Sequence, residues 1–298
     1  MSQGDFLKAL QEEVSTFADI VATADGEWII KGFIDIHKRI YSISLDTKVI
    51  SKALELLLIP RLITFGAQHG YQAILAAEQN FYPDISFVSI ESNETFAVDI
   101  KSTYRTGRNS KGIEMVNGMT LGAFTGYFRN RTSTKNITFP YGDYSDHIVL
   151  GTIYTQIPEQ PGQKQMFHLD ELEAIGSVIT DFAFFAQPKY RIASSRPGSG
   201  NTKNIGSVIR VDQLLSGNGP FAQLDLEIFD DYWMYYLTKD MANALEVPRP
   251  YTDLATYIEY KRQGSTIPIS VVESLDQEET RASDESREVA SEDIDPSD

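Results

Sequence analysis

Two short apolar runs at residues 85–90 and 96–100 flank the polar segment Glu91-Ser92-Asn93-Glu94-Thr95. Short alternating runs around a polar turn predict a β-hairpin. Residues two apart on a strand share a face, so Asp99 and Lys101 point the same way. Antiparallel pairing closed around Asn93 brings Asp84 opposite positions ~99–102. Two carboxylates and one ammonium then converge at one end of the hairpin. Such charges at the end of an apolar strand suit a divalent cation and a phosphate oxygen. A charged surface hairpin is the plainer alternative.

Helical spacing governs other stretches. Phe6, Leu7, Leu10, Val14 and Phe17 place an amphipathic helix over residues 2–18. Residues 46–67 predict a long helix capped by Asp46 or Thr47 and kinked or divided at Pro60. Within it, Glu55 lies among apolar neighbours, where a carboxylate needs a partner or a task. Further helices are expected over 119–130, 169–175, 229–237 and 251–262. Strands are expected over 20–43, with an Asp25-Gly26 turn, and over 71–76, 144–154 and 178–185. Aromatic and β-branched residues such as Trp28 and Phe33 read as sheet core or as a dimer surface.

The polar residues Glu78, Gln79 and Asn80 form a loop leading into the hairpin, and 105–118 reads as a second loop. A third spans 198–207, Gly-Ser-Gly-Asn-Thr-Lys-Asn-Ile-Gly-Ser. It lacks both the strand-turn-helix setting of a dinucleotide site and the Gly-Lys-Ser/Thr of a phosphate loop. Its glycines allow close backbone approach, and Asn201, Thr202 and Asn204 could meet base edges; a plain surface loop is the alternative.

Composition refines this picture. The 298 residues are 42 % apolar and carry a net charge of −16 with no cysteine. Disulfides, zinc–thiolate sites and cysteine nucleophiles are excluded, and a cytoplasmic location is expected. No apolar run approaches the ~18 residues of a membrane span, and no signal peptide is expected. Eleven acidic residues against two arginines give residues 273–298 a net of −9, a disordered-tail composition. Residues 101–135 hold seven Lys/Arg against one acid, and residues 187–210 hold five against none. Such local basic stretches can bind phosphates even on an acidic chain. No metal-binding spacing surrounds the four histidines, which read as structural.

Several stretches together resemble the EcoRV family of type II restriction endonucleases, within the PD-(D/E)xK nucleases. They are SLDTKV before the Glu55 helix, HGY at 69–71, QNFYPD at 79–84 and DIKSTY at 99–104. TLG, FRN and TKNI follow within 120–137, then the 198–207 loop and DYW at 231–233, all in the family's order over about residues 5–263. The resemblance implies an α/β (α+β) fold with a mixed central sheet flanked by helices, over residues 1–264. A small dimerisation subdomain is implied at about 18–44, with the acidic tail at 265–298 outside the fold.

It also implies a homodimer acting on double-stranded DNA with Mg²⁺ as cofactor and no membrane association. Asp84 and Asp99 would be metal ligands, Lys101 the catalytic lysine and Glu55 an auxiliary carboxylate and metal ligand. Gly198, Ser199, Gly200, Asn201, Thr202, Lys203 and Asn204 would read the major groove. Gln79 and Asn80 would reach the minor groove, and Ser102 and Thr103 the phosphates. The implied site is GATATC, cut bluntly at its centre to leave 5′-phosphates. Lys203 and Ser102 stand where the family has threonine, residues 26–43 carry extra length, and the acidic tail has no counterpart. The rival readings are a nuclease of the same core with another DNA-processing role and a non-catalytic DNA-binding protein.

Overall fold

The computed structural model describes residues 3–92, 94–158, 166–198 and 202–264. In chain order the helices are α1 (Gln3–Val14), α2 (Ala18–Val21), α3 (Thr47–Gln68), α4 (Lys189–Ile192), α5 (Val211–Ser216), α6 (Asp225–Met234), α7 (Lys239–Ala244) and α8 (Leu254–Arg262). The strands are β1 (Gly32–Ile34), β2 (Arg39–Ser42), β3 (Tyr71–Leu75), β4 (Ile85–Ser89), β5 (Thr95–Arg108), β6 (Glu114–Val116), β7 (Thr120–Ala123), β8 (Asp146–Gln156), β9 (Met166–His168), β10 (Ile179–Pro188), β11 (Ala193–Pro197) and β12 (Asn204–Ser207). This is the expected α+β architecture, with mixed sheets flanked by helices.

The central sheet runs β10-β8-β5-β4-β3, with β6 added against β5. Its β5–β8 pair is parallel and the remaining pairs are antiparallel. Alternation along β5 sends Phe96 and Val98 to one face and Ala97 to the other, so the sheet divides two cores. The first core is closed by α1 and α3. Phe6 of α1 stacks on Phe96 at 4.1 Å, and Phe6, Leu10 and Val14 are buried. Each such side chain contributes about 1.5–3 kcal/mol by leaving water. The second core packs β7 and β12 together with α5, α6, α7 and α8 around Phe128, Trp233 and Tyr232.

The N-terminal helix expected over 2–18 is α1, followed separately by α2. Helix α3 begins as expected, with Asp46 accepting the Lys48 and Val49 amides, but Pro60 does not divide it. Pro60 and Leu56, four residues before it, are exposed, so the carbonyl that loses its amide partner faces water. Asp25-Gly26 makes its turn, with Gly26 at φ +80° and the Thr23 amide bonded to the Glu27 carbonyl at 2.8 Å.

Two expectations are corrected. Residues 105–118 are not a loop: β5 continues to Arg108 and β6 pairs back onto it. Residues 119–130 form no α-helix but strand β7 and a single 3₁₀ turn, Gly126–Phe128. Gly122 and Gly126 have φ of +94° and +56°, left-handed conformations that end a right-handed helix. The β7 backbone pairs instead with β12, Ala123 opposite Asn204 and Thr120 opposite Gly206.

Of the residues read as sheet core or dimer surface, Phe33 lies exposed on a separate three-stranded sheet, β1-β2-β9, whereas Trp28 is buried in the first core. No helix among the described residues is long and apolar enough to cross a membrane.

Candidate active site

Strands β4 and β5 pair with Ile85 opposite Val98, so the antiparallel register carries Asp84 to the position opposite Asp99. The Ile100 amide donates to Asp84 Oδ2 at 2.6 Å. Lys101 Nζ lies 2.8 Å from Asp99 Oδ2. The sequence reading of the hairpin thus gives the observed cluster of two carboxylates and an ammonium. On the neighbouring parallel strand β8, Val149 pairs Asp99 and Gly151 pairs Lys101. A side chain at Gly151 would collide with the Phe185 ring, whose nearest atom is 2.0 Å from the ideal Cβ. The glycine lets Phe185 pack against β8 beside the lysine.

Burial and then the charge of Asp99 push Asp84 up to about 7, against the lowering effect of Lys101. Burial pulls Lys101 down, but Asp99 and Asp84 outweigh it and hold its pKa above the ordinary lysine value. The ammonium is therefore charged at neutral pH, while the carboxylate pair retains a proton near neutrality. A buried carboxylate pair that otherwise keeps a proton is a fitting holder for a divalent cation, which takes one or two carboxylates and completes its shell with water and phosphate oxygen.

Glu55 stands apart. It accepts from Lys52 at 2.6 Å, one helical turn away, although its charge still raises Lys101. Among the described residues no three acidic or histidine side chains are grouped as a metal cage. The geometry therefore brings together Asp84, Asp99 and Lys101, and not Glu55.

The remaining candidates are distributed. Ser102 bonds Ser51 of α3 at 2.7 Å, on the face opposite Asp99. Thr103 is buried and donates to the Asn117 carbonyl. Gln79 and Asn80 lie exposed on a turn, with Asn80 donating to Asn136 at 3.3 Å. Gly198, Thr202, Lys203 and Asn204 belong to the β11–β12 hairpin, where the Gly198 amide donates to the Asn204 carbonyl at 2.9 Å. A Cβ on Gly206 would sit 3.0 Å from the Gly198 Cα, so the two glycines do permit a close backbone approach. Ser199, Gly200 and Asn201 lie outside the described residues.

The basic stretches are partly structural. Arg129 is buried and donates to the Tyr236 carbonyl at 2.7 Å. Arg131 pairs Asp230 at 2.9 Å and covers the Phe128 and Tyr141 rings. Arg105 lies 3.2 Å from Asp181. His147 is held between the Tyr82 hydroxyl and the Tyr141 carbonyl, and burial drives its pKa well below the usual value, so it is a neutral structural residue.

A model of the EcoRV restriction endonuclease family matches residues 24–262. The chain belongs to this family. It is 35 % identical over 207 residues to the type II restriction enzyme EcoRV of Escherichia coli, covering 69 % of this chain and 81 % of that enzyme. The chain is thus a type II restriction-endonuclease-like DNA nuclease, and EcoRV-like enzymes act on double-stranded DNA.

One buried cation near the cluster escaped the sequence reading. Lys189, at the start of α4, is 2 % exposed and its Nζ has no hydrogen-bond partner among the described residues. The ammonium lies over the rings of Tyr82, Tyr141 and Phe128 at 5.1, 5.5 and 5.8 Å. Its signal was the one that singled out Glu55, a charge inside the apolar run Phe-Phe-Ala-Gln-Pro-Lys-Tyr-Arg-Ile-Ala.

Proposed function

We infer that the chain is a homodimeric, Mg²⁺-dependent endonuclease that cuts double-stranded DNA at a palindromic site. The site follows from the family relationship as GATATC, with a blunt central cut leaving 5′-phosphates. The observation that carries the reading is the Asp84–Asp99–Lys101 cluster on a rigid hairpin in a chain of this family.

Asp84 and Asp99 would hold the Mg²⁺. When bound, the ion would neutralise phosphate charge and acidify a water molecule. Lys101, fixed by Asp99, would place its ammonium against the phosphate oxygens as negative charge develops there. Water oxygen attacks phosphorus, the P–O3′ bond breaks, O3′ leaves with a proton as the hydroxyl end of the upstream fragment, and the phosphate stays on O5′ of the downstream fragment. The β11–β12 hairpin would contribute base contacts through Gly198, Thr202, Lys203 and Asn204, and the family relationship gives Ser199, Gly200 and Asn201 the same role. Gln79 and Asn80, exposed beside the hairpin, would approach the minor groove. By the family relationship Ser102 and Thr103 would contact backbone phosphates and Glu55 would be an auxiliary carboxylate for the metal, each exchanging its present partner, Ser51, the Asn117 carbonyl and Lys52.

A second copy of the chain is supported by the exposed apolar side chains of the β1-β2-β9 sheet. Phe33, Tyr41 and Met166, which the register places in one row on one face, are exposed there. A palindromic site would match a two-fold dimer.

Digestion of a mapped plasmid with Mg²⁺, followed by sequencing of the ends, tests the reading at once. Blunt 5′-phosphate ends at GATATC support it. Cleavage of branched or arbitrary DNA would point to another DNA-processing role, and binding without cleavage would remove the catalytic reading.

A further inference from the structure

Two lysines answer the carboxylate pair. Lys101 is ion-paired with Asp99. Lys189 answers from two strands away: Gln187, two residues before it, stands in line with Asp99 across Val149 of β8, and the charge of Asp99 is felt at the ammonium. The other charged neighbours of Lys189 are Asp230 and Arg131, which pair with each other. His147 on β8 is neutral, and the remaining groups facing the ammonium are the rings of Tyr82, Tyr141 and Phe128 and the Tyr127 hydroxyl near Gly122. Glu55 is matched by Lys52.

We propose that Lys189 is a built-in counter-ion that keeps the Asp84–Asp99 pair from holding a divalent cation until a scissile phosphate adds negative charge. The proposal rests on the nuclease reading above and assigns Lys189 a positioning role, acting through the carboxylates. A buried, unpaired ammonium costs folding free energy, because aromatic faces replace only part of its hydration. Its pKa is lowered to about 8, by burial first, against the raising effect of Asp99 and Asp230, so it is mostly charged at neutral pH. In a low-dielectric setting one such charge repels a divalent ion strongly, and two lysines repel it more. Phosphate oxygens brought by DNA would reverse that balance. Metal loading would then follow DNA binding.

The test measures Mn²⁺ binding to the full chain without DNA, counting free ion by its electron paramagnetic resonance signal at neutral pH. Lys189→Met and Lys189→Gln should each tighten the Asp99-dependent binding by roughly tenfold. Lys189→Arg should bind as the unaltered chain does. Thermal melting of Lys189→Met should show no loss of stability, since a methionine suits the ring faces better than an unpaired ammonium. Unchanged Mn²⁺ affinity in both neutral variants would overturn the proposal, as would a tightening that persists with Asp99→Ala. Addition of a duplex carrying the cleaved site to the unaltered chain separates the two readings. If no Asp99-dependent Mn²⁺ is gained there, the metal-site assignment fails rather than the role of Lys189.

Discussion

Asp84 accepts the backbone amide of Ile100 at 2.6 Å, which fixes it across the strand pair from Asp99. The bond belongs to the backbone of β5, so the separation of the two carboxylates follows the hairpin rather than side-chain rotamers. Asp99→Ala should therefore leave the fold and metal-free DNA binding intact, within about threefold, while lowering cleavage by roughly a thousandfold or more. A gel-shift assay in chelator beside a cleavage time course checks both parts. Cleavage at the unaltered rate would remove Asp99 from the site.

The same pair makes stability depend on pH. Burial and the charge of Asp99 push Asp84 up to about 7 in the folded chain, well above an ordinary carboxylate, so the folded state binds the proton more tightly than the unfolded one. Its contribution is fully present below about pH 4 and is lost as pH rises toward about 7. Asp84→Asn keeps an oxygen for the Ile100 amide and removes the repulsion. The variant should melt higher than the unaltered chain at pH 7, by roughly 5 °C, with the gap closing toward pH 4. A melting series in metal-free buffer checks the sign, and a gap that widened on acidification would contradict it.

How much could be read in advance varies with how local the determinants are. The hairpin was legible because alternation, turn and register are all contained in residues 84–101. Helix α3 was legible for the same reason; Lys52, one turn from Glu55 on the same helix, was within equal reach but was not read as its partner. Strand β7 was not, because its apolar spacing imitates a helix and its pairing partner β12 lies about eighty residues on. Lys189 was not, because its cage is assembled from Tyr82, Phe128 and Tyr141, which neighbour it only after folding. For the same reason a charge count along the chain placed Arg129 and Arg131 among phosphate-binding residues, whereas both cover buried rings.

Gly151 is expected to tolerate no side chain. A Cβ there would lie 2.0–2.7 Å from three atoms of the Phe185 ring, in the middle of the central sheet. Gly151→Ala should destabilise the chain by about 1–3 kcal/mol through overpacking. Because Gly151 pairs Lys101 across β5 and β8, cleavage should fall as well. Denaturant unfolding of the variant, alone and with Phe185→Leu, checks the cause: the second substitution should restore part of the loss.

Arg129 separates structural from phosphate-binding cations. Its guanidinium is buried, bonds the Tyr236 carbonyl and lies over Phe124 at 5.6 Å. Arg129→Ala should cost about 2–4 kcal/mol by leaving that carbonyl unpaired and the ring uncovered. The salt dependence of DNA binding should stay as it was, because a residue contacting phosphate would lower the slope by about one unit. A reduced slope would return Arg129 to the DNA interface.

The sheet of β1, β2 and β9 exposes a row of apolar side chains on one face, Phe33, Tyr41 and Met166. Phe33 is 58 % exposed on β1, and Met166 is 48 % exposed on β9. Covered by a second copy, each would contribute about 1–3 kcal/mol. Charging both puts two unpaired carboxylates into such an interface, where they would be desolvated without partners. Phe33→Glu with Met166→Glu should therefore raise the dimer dissociation constant by roughly a hundredfold or more while leaving the melting of the subunit core unchanged. Sedimentation of both chains across a concentration series checks this. Since a single copy would meet only half of a palindrome, the variant should also nick rather than cut both strands, and double-strand cleavage at the unaltered rate by a chain that sediments as a monomer would remove this sheet from the proposed assembly.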